Sequence, residues 1–175
     1  MNSLSGRVLA AAVATVLTAC TPTLDWRELR AADGTLTLLL PCKPASHARK
    51  VQLAGQAVTL TLLACRAGEV TWALAHADMV DPARVTPALD ELRQAALANL
   101  GATTGAALPL AVAGATPNPS SSRVAISGHL PDGSAVQEEL AVFARGTRVF
   151  QATAVGARLE PQALQTFFTA LRAGS

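Results

Sequence analysis

The chain contains no tyrosine, and only 3% of its residues are aromatic. Its few Phe and Trp are not interleaved with basic residues, so the stacking platforms that single-stranded nucleic acid needs are missing. An excess of one charge is missing too. The formal net charge is +2, falling to +1 once Arg7 is set aside, and no strong field draws the protein to nucleic acid or anionic surfaces. Nucleic acid is therefore not an expected partner. With so few aromatic residues the core must be built from Leu, Val and Ala, and a deep aromatic-lined ligand pocket is not expected. Long hydrophobic runs are also absent: residues 8–17 give about half of the ~20 residues that cross a bilayer as a helix.

Motifs that carry chemistry are scarce. There is no Cys-x-x-Cys, which leaves little basis for a redox or metal role of the cysteines. Ser120, Ser121 and Ser122 lack a Gly-x-Ser-x-Gly elbow. Gly101 and Gly105 follow a helical pattern instead of joining a strand to a helix start, where N–H groups would face a phosphate. Adjacent residues of a strand point to opposite faces, so Glu138 and Glu139 are not a converging acid pair. A non-enzymatic protein without a cofactor is the expectation.

What is present begins with Leu17-Thr18-Ala19-Cys20. Arg7 supplies a positive flank, residues 8–17 a short apolar core, and small residues precede a cysteine in the arrangement of a bacterial lipoprotein signal. Residues 1–19 are read as the signal peptide and Cys20 as the site of lipidation by diacylglyceryl and palmitate-like chains. Several such chains make release from a bilayer negligible at ~0.8 kcal/mol per buried methylene. Thr21, in place of Asp, resembles the outer-membrane class of lipoproteins. The expected location is the periplasmic side of the outer membrane, reached through the lipid anchor.

Residues 20–33 read as a lipidated tether, too short for the domain to roam far. Within it Trp26 either packs back on the domain, the favoured reading, or sits at the lipid interface, where indole is at home. Residues 34–175 form one domain of ordinary size. The oxidising compartment turns Cys42 and Cys65 into a disulfide candidate. Ala54-Gly55 reads as a tight turn with Leu53 opposite Gln56, and this register sets Cys42 opposite residue 67, within one bulge of Cys65.

Leu36, Leu38 and Leu40 alternate with polar neighbours as a half-buried strand does, and Pro41-Cys42-Lys43-Pro44 stops it. Further strands run from Arg49 to Leu53 (charged and tolerant of an edge), from Val58 to Cys65, and from Val70 to His76. These four predict an antiparallel meander. Val85, Ala88, Leu89, Leu92, Ala95, Ala96 and Leu100 then share one helical face, ending at Gly101. Residues 102–122 read as loop, with a short strand at 108–112 and a mobile segment at Pro117-Asn118-Pro119-Ser120. A second meander follows, turning at Pro131-Asp132-Gly133 and Arg145-Gly146, and Pro161 opens a terminal helix carrying Leu164, Phe167, Phe168 and Leu171. The fold class is α+β: an antiparallel β-sheet of two meanders, with one long amphipathic helix and a C-terminal helix packed on it.

That succession resembles the PsbP-like fold: Leu36 to Leu40 with Pro41-Cys42-Lys43-Pro44, a hairpin, a strand ending in Ala75-His76-Ala77-Asp78, one amphipathic helix, three strands, and a closing helix around Phe167-Phe168. The resemblance is one of pattern over nearly all of the mature chain. The family includes the extrinsic PsbP protein of photosystem II, a Ran-binding nuclear-import factor and many small bacterial lipoproteins of unassigned role. No functional residues of the first two match here, so the resemblance implies the fold.

The remaining candidates are weak. His76 and Asp78 point the same way on a strand, with Asp81 nearby and His129 elsewhere, and so form the metal or polarised-imidazole candidate. The bland alternative makes Asp78 a local cap before the helix. Arg145 and Arg148 flank a turn, as a solvated hairpin tip or a small anion-contact patch. The leading expectation is a lipid-anchored protein-interaction module contacting an unknown envelope protein. The alternative is a small-ligand or metal-binding domain using the groove between sheet and helix, with His76 and Asp78 in it.

Overall fold

The computed structural model describes residues 24–174. Residues 1–19, Cys20 and Thr21 lie outside them, so the signal peptide and the lipidation site are not part of the structural description. Among the described residues no helix is long and apolar enough to cross a membrane.

The fold is α+β and its sheets are antiparallel. In chain order the strands are β1 (Arg27–Ala31), β2 (Leu36–Leu40), β3 (Ala45–Leu53), β4 (Gln56–Ala67) and β5 (Val70–Asp78). After helix α1 (Val85–Asn99) come β6 (Ala106–Leu108), β7 (Ser122–His129), β8 (Ala135–Arg145) and β9 (Arg148–Gly156), then helix α2 (Pro161–Thr169) and β10 (Arg172–Ala173). Seven strands make the main sheet in the order β3-β4-β5-β9-β8-β7-β6, and β1-β2-β10 make a small second sheet. The two meanders of the main sheet join where β5 pairs with β9, Leu74 opposite Ala152.

The period-two stretches fold as strands because alternate residues find opposite environments. In β2, Leu36, Leu38 and Leu40 are fully buried while Thr37 and Leu39 are only partly so. The β3–β4 hairpin turns at Ala54 (φ 49°) and Gly55 (φ 75°), and Leu53 faces Gln56. Two consecutive left-handed residues match the twist of the flanking strands. Asp81 opens the helical segment, accepting a hydrogen bond from the Ala83 N–H at 2.9 Å, and Pro82 occupies the first position of a short 3-10 turn that runs into α1. At the far end Leu100 presses on β7, and the His129 N–H donates to the Leu100 carbonyl at 3.1 Å. A Cβ on Gly128 would lie 2.1 Å from that same oxygen, so only glycine admits this approach.

Three layers result. α1 covers one face of the main sheet, packing on β8 and β9. The small sheet and α2 cover the other. The two cores differ in kind. The α1 core holds Leu53, Met79, Leu89, Leu92, Ile126, Leu140 and Val142 and contains no aromatic ring. All four Phe and both Trp belong to the opposite side, where Trp72 meets Trp26 and Phe167 edge-on at 5.8 and 5.2 Å and Phe143 stacks on Phe150 at 5.2 Å.

Several expectations are corrected. β2 is not the first strand of the meander: it leaves the main sheet and pairs with β1 and β10, because the corner at residues 41–44 turns the chain across to the other sheet. The tether assigned to residues 20–33 is shorter, since Arg27–Ala31 pairs along the whole of β2 and buries Ala31. Trp26 packs against Trp72. The short strand lies at Ala106–Leu108 instead of 108–112, against β7. Residues 117–120 are tied down: the Asn118 amide donates to Thr86 Oγ1 and the Ser120 hydroxyl to Asp90 Oδ2, each at 2.9 Å.

Candidate functional site

The disulfide forms between Cys42 and Cys65, with Cα atoms 5.9 Å apart. Cys65 sits in β4 opposite Trp72, and the corner after β2 brings Cys42 back to it. The bond fastens the small sheet to the main one at the entrance of β3, on the aromatic side.

His76 and Asp78 do share a face, the one opposite α1, as β5 pairing and burial require. They do not converge on a common centre. Asp78 Oδ1 accepts the Val80 N–H at 2.9 Å and the Thr147 hydroxyl at 2.7 Å, and Oδ2 lies 3.7 Å from Arg148 Nε. The Thr147 hydroxyl foremost, then the Val80 N–H and the Arg148 guanidinium, hold this carboxyl below its ordinary value. The His76 ring lies 6.2 Å from that of Phe150. Burial first, and the Arg148 charge second, hold its imidazole below the usual value. Asp78 is the cap of the β5–α1 loop. Among the described residues no three His, Cys, Asp or Glu side chains converge to hold a metal.

Arg145 and Arg148 are both engaged, so the solvated hairpin tip is corrected. Arg145 Nη1 donates to the Gly114 carbonyl at 3.0 Å. Arg148 reaches the Ala32 carbonyl and pairs with Asp33 at 3.1 Å, binding the β1–β2 turn to the main sheet. Ser121 Oγ is buried without a hydrogen-bond partner, and Ser122 contacts the Ser120 carbonyl. Ser120 donates to the Asp90 carboxylate, and among the described residues no histidine is hydrogen-bonded to any of the three serines.

Glu138 and Glu139 point to opposite faces as expected, but both are buried, each only 6% exposed. Glu139 receives Arg123 Nε at 2.6 Å, and that guanidinium lies 4.2 Å over the Phe168 ring. Glu138 stands between Ile126 and Val155 on the α1 side and makes no side-chain hydrogen bond or ion pair among the described residues. Burial pushes its carboxyl up to about 7.

A groove of about 490 Å³ lies between the main sheet and the end of α1. Its floor is Leu60 and Leu62 of β4, Ala73 and Ala75 of β5, and Gln151 and Thr153 of β9, with Asn99 at one side and His47 and Arg49 of β3 at the other. It exists because α1 packs over β8 and β9 and leaves the β3–β4–β5 corner of that face bare. The groove between sheet and helix is therefore present, but His76 and Asp78 are on the opposite face and are not in it. The expected pairing of those two residues with the groove fails on strand parity: Ala75 faces it, and His76 does not. A second, more apolar pocket of about 330 Å³ lies on the aromatic side against Leu24, Val70, Trp72 and Ala163, and the buried Trp72 Nε1 has no hydrogen-bond partner among the described residues.

The residues around the groove were missed as a group because they come from four strands and a helix end. The one local signal was the charged, edge-tolerant run at Arg49 and Lys50. No known family model matches the chain, and no curated protein is significantly similar to it.

Proposed function

We propose that this protein is a non-enzymatic envelope lipoprotein, anchored through Cys20 to the periplasmic side of the outer membrane, whose domain is a protein-interaction module with a PsbP-like fold. The observation that carries the interaction reading is the bare corner of the main sheet. β3 is an edge strand of nine residues, and no described residue pairs with its outer side. The candidate catalytic groups are instead spent on structure: Asp78 caps a loop, Glu139 pairs with Arg123, and Ser120 binds Asp90. The sulfur pattern supports the envelope setting, since a disulfide suits an oxidising compartment.

Two measurements test this reading. Labelled palmitate should enter the full chain and not its Cys20→Ser variant, and absence of label from both removes the anchor. Capture from envelope membranes should yield a partner that an unrelated domain on the same anchor does not retain. Identical captures would remove the interaction module. The groove of about 490 Å³ favours small-ligand binding as the second reading. Under that reading a Leu62→Trp substitution, which fills the groove, abolishes binding without destabilising the domain.

A further inference from the structure

Sheet edges that are long, flat and unpaired invite other strands, and proteins blunt them with charge. β3 is such an edge. Ser46, His47, Ala48, Arg49 and Lys50 are all exposed, and among the described residues the strand pairs on its inner side alone, with β4. Every second residue of an antiparallel edge strand turns its N–H and C=O outward, so β3 offers a row of unfilled donors and acceptors.

The charge carried by the stretch around this edge has one sign, and the Glu91 carboxylate of α1 stands only at the hairpin tip, against Ala54. From Gly34 to Gly68 the sequence holds no Asp or Glu, while Lys43, Arg49, Lys50 and Arg66 are cationic. Arg66 pairs with Glu69. Lys43, Arg49 and Lys50 enter none of the ion pairs found among the described residues. Adjacent in sequence, Arg49 and Lys50 put a cation on each face of the strand, and Arg49 with His47 forms the rim of the groove. Behind that rim lie Leu60 and Leu62, the latter 37% exposed.

We propose that the outer edge of β3 takes an extended, acidic segment of a partner protein as the eighth strand of the main sheet. This rests on the interaction reading above and names the partner's chemistry. Main-chain hydrogen bonds supply the attachment, and carboxylates of the segment meet Arg49 and Lys50 on the two faces. Apolar side chains on the α1 side continue the floor made by Leu60 and Leu62. A second copy of the chain is disfavoured by the same charges: β3 against β3 sets Arg49 and Lys50 beside their own kind. A phospholipid surface has use for the cations but none for a strand edge with an apolar floor behind it.

The experiment titrates the full chain in neutral detergent with two eight-residue peptides, each carrying valine at two alternate positions of one face and, at all other positions on both faces, glutamate in one peptide and lysine in the other. Amide hydrogen exchange of β3 is the readout. The glutamate peptide should slow exchange of the β3 amides at least tenfold, and R49E/K50E should weaken its binding at least tenfold and admit the lysine peptide. Both positions are exposed, so the variant keeps the fold, and unchanged far-ultraviolet circular dichroism checks this. No protection of β3 by the glutamate peptide overturns the proposal. So does equal protection by both peptides, and so does protection that appears with protein concentration alone, which assigns the edge to a second copy. Binding to phosphatidylglycerol vesicles that R49E/K50E abolishes, without peptide protection, assigns the cations to lipid and also overturns it. A specific envelope capture that survives R49E/K50E leaves the interaction module standing and removes only this edge.

Discussion

The two faces of the main sheet are made by opposite means. On one, the four Phe and two Trp interlock beneath a small sheet and α2, and a disulfide holds the layers together. On the other, a single helix rests on aliphatic side chains, a buried carboxyl has no side-chain partner among the described residues, and a corner of the sheet stays bare. Rings are large and rigid, so the few this chain owns do most when gathered in one place. The aromatic face can then bear the stability of the domain while the aliphatic one remains open. One sheet serves as foundation on one side and as counter on the other.

The largest effect should come from the foundation. Phe167→Ala opens a cavity among Trp72 and Phe168 and should cost about 4 kcal/mol, whereas Leu89→Ala, on the aliphatic face of α1, should cost about 3 kcal/mol or less. Urea unfolding of both variants measures the gap. Equal losses would erase the distinction between the faces. Cys42→Ala with Cys65→Ala comes next. Opening this short loop should cost about 3 kcal/mol in the chain-entropy picture, read from the same unfolding curves. A loss below about 1 kcal/mol would mean that the aromatic side needs no covalent help.

The α1 face yields the third prediction, and its sign is opposite. Unfolded, Glu138 releases its proton near 4.5; folded, it holds it until about 7. The unfolded chain therefore ionises first, and stability falls as pH rises from 4.5 to 7, by up to about 3 kcal/mol. Glu138→Gln escapes this loss. The variant should match the native protein at pH 4 and exceed it at pH 8, as the urea midpoints at the two pH values will show. An equal difference at both would mean that the carboxyl is not desolvated. The smallest effect belongs to the loop over α1: Ser120→Ala should cost about 1 kcal/mol through its bond to Asp90, measured by thermal unfolding.

Much of this was legible in the residues. Alternating Leu in β2 and Val and Leu in β4 fixed strands, the Ala54-Gly55 turn set a register that carried Cys42 to the neighbourhood of Cys65, and α1 followed from its apolar face. Alternation tells which side of a strand is buried and says nothing of which strand lies beside it. Hence the residues of β2 read as part of the meander, and β10, only two residues long, leaves no period to read. Arg148 and Asn118 read as solvent-facing because their partners, Asp33 and Thr86, are distant in sequence. The groove was anticipated as a kind of place but furnished with the wrong residues. His76 carries the more conspicuous chemistry, yet Ala75 carries the right parity.

The β3 ribbon is fastened at both of its ends. Cys42 is bonded to Cys65 just before the strand begins, and at the tip the Glu91 carboxylate accepts the Ala54 N–H at 2.7 Å while Arg84 grips the Ala54 carbonyl. Such a ribbon behaves as a template and not as a latch: it can gain a neighbour without surrendering its own. Exchange of β3 alone between molecules, by opening the turn at Ala54-Gly55, would first require the Cys42–Cys65 bond to be cut. The edge therefore stays open to an added strand while its own pairing with β4 is held by a covalent bond.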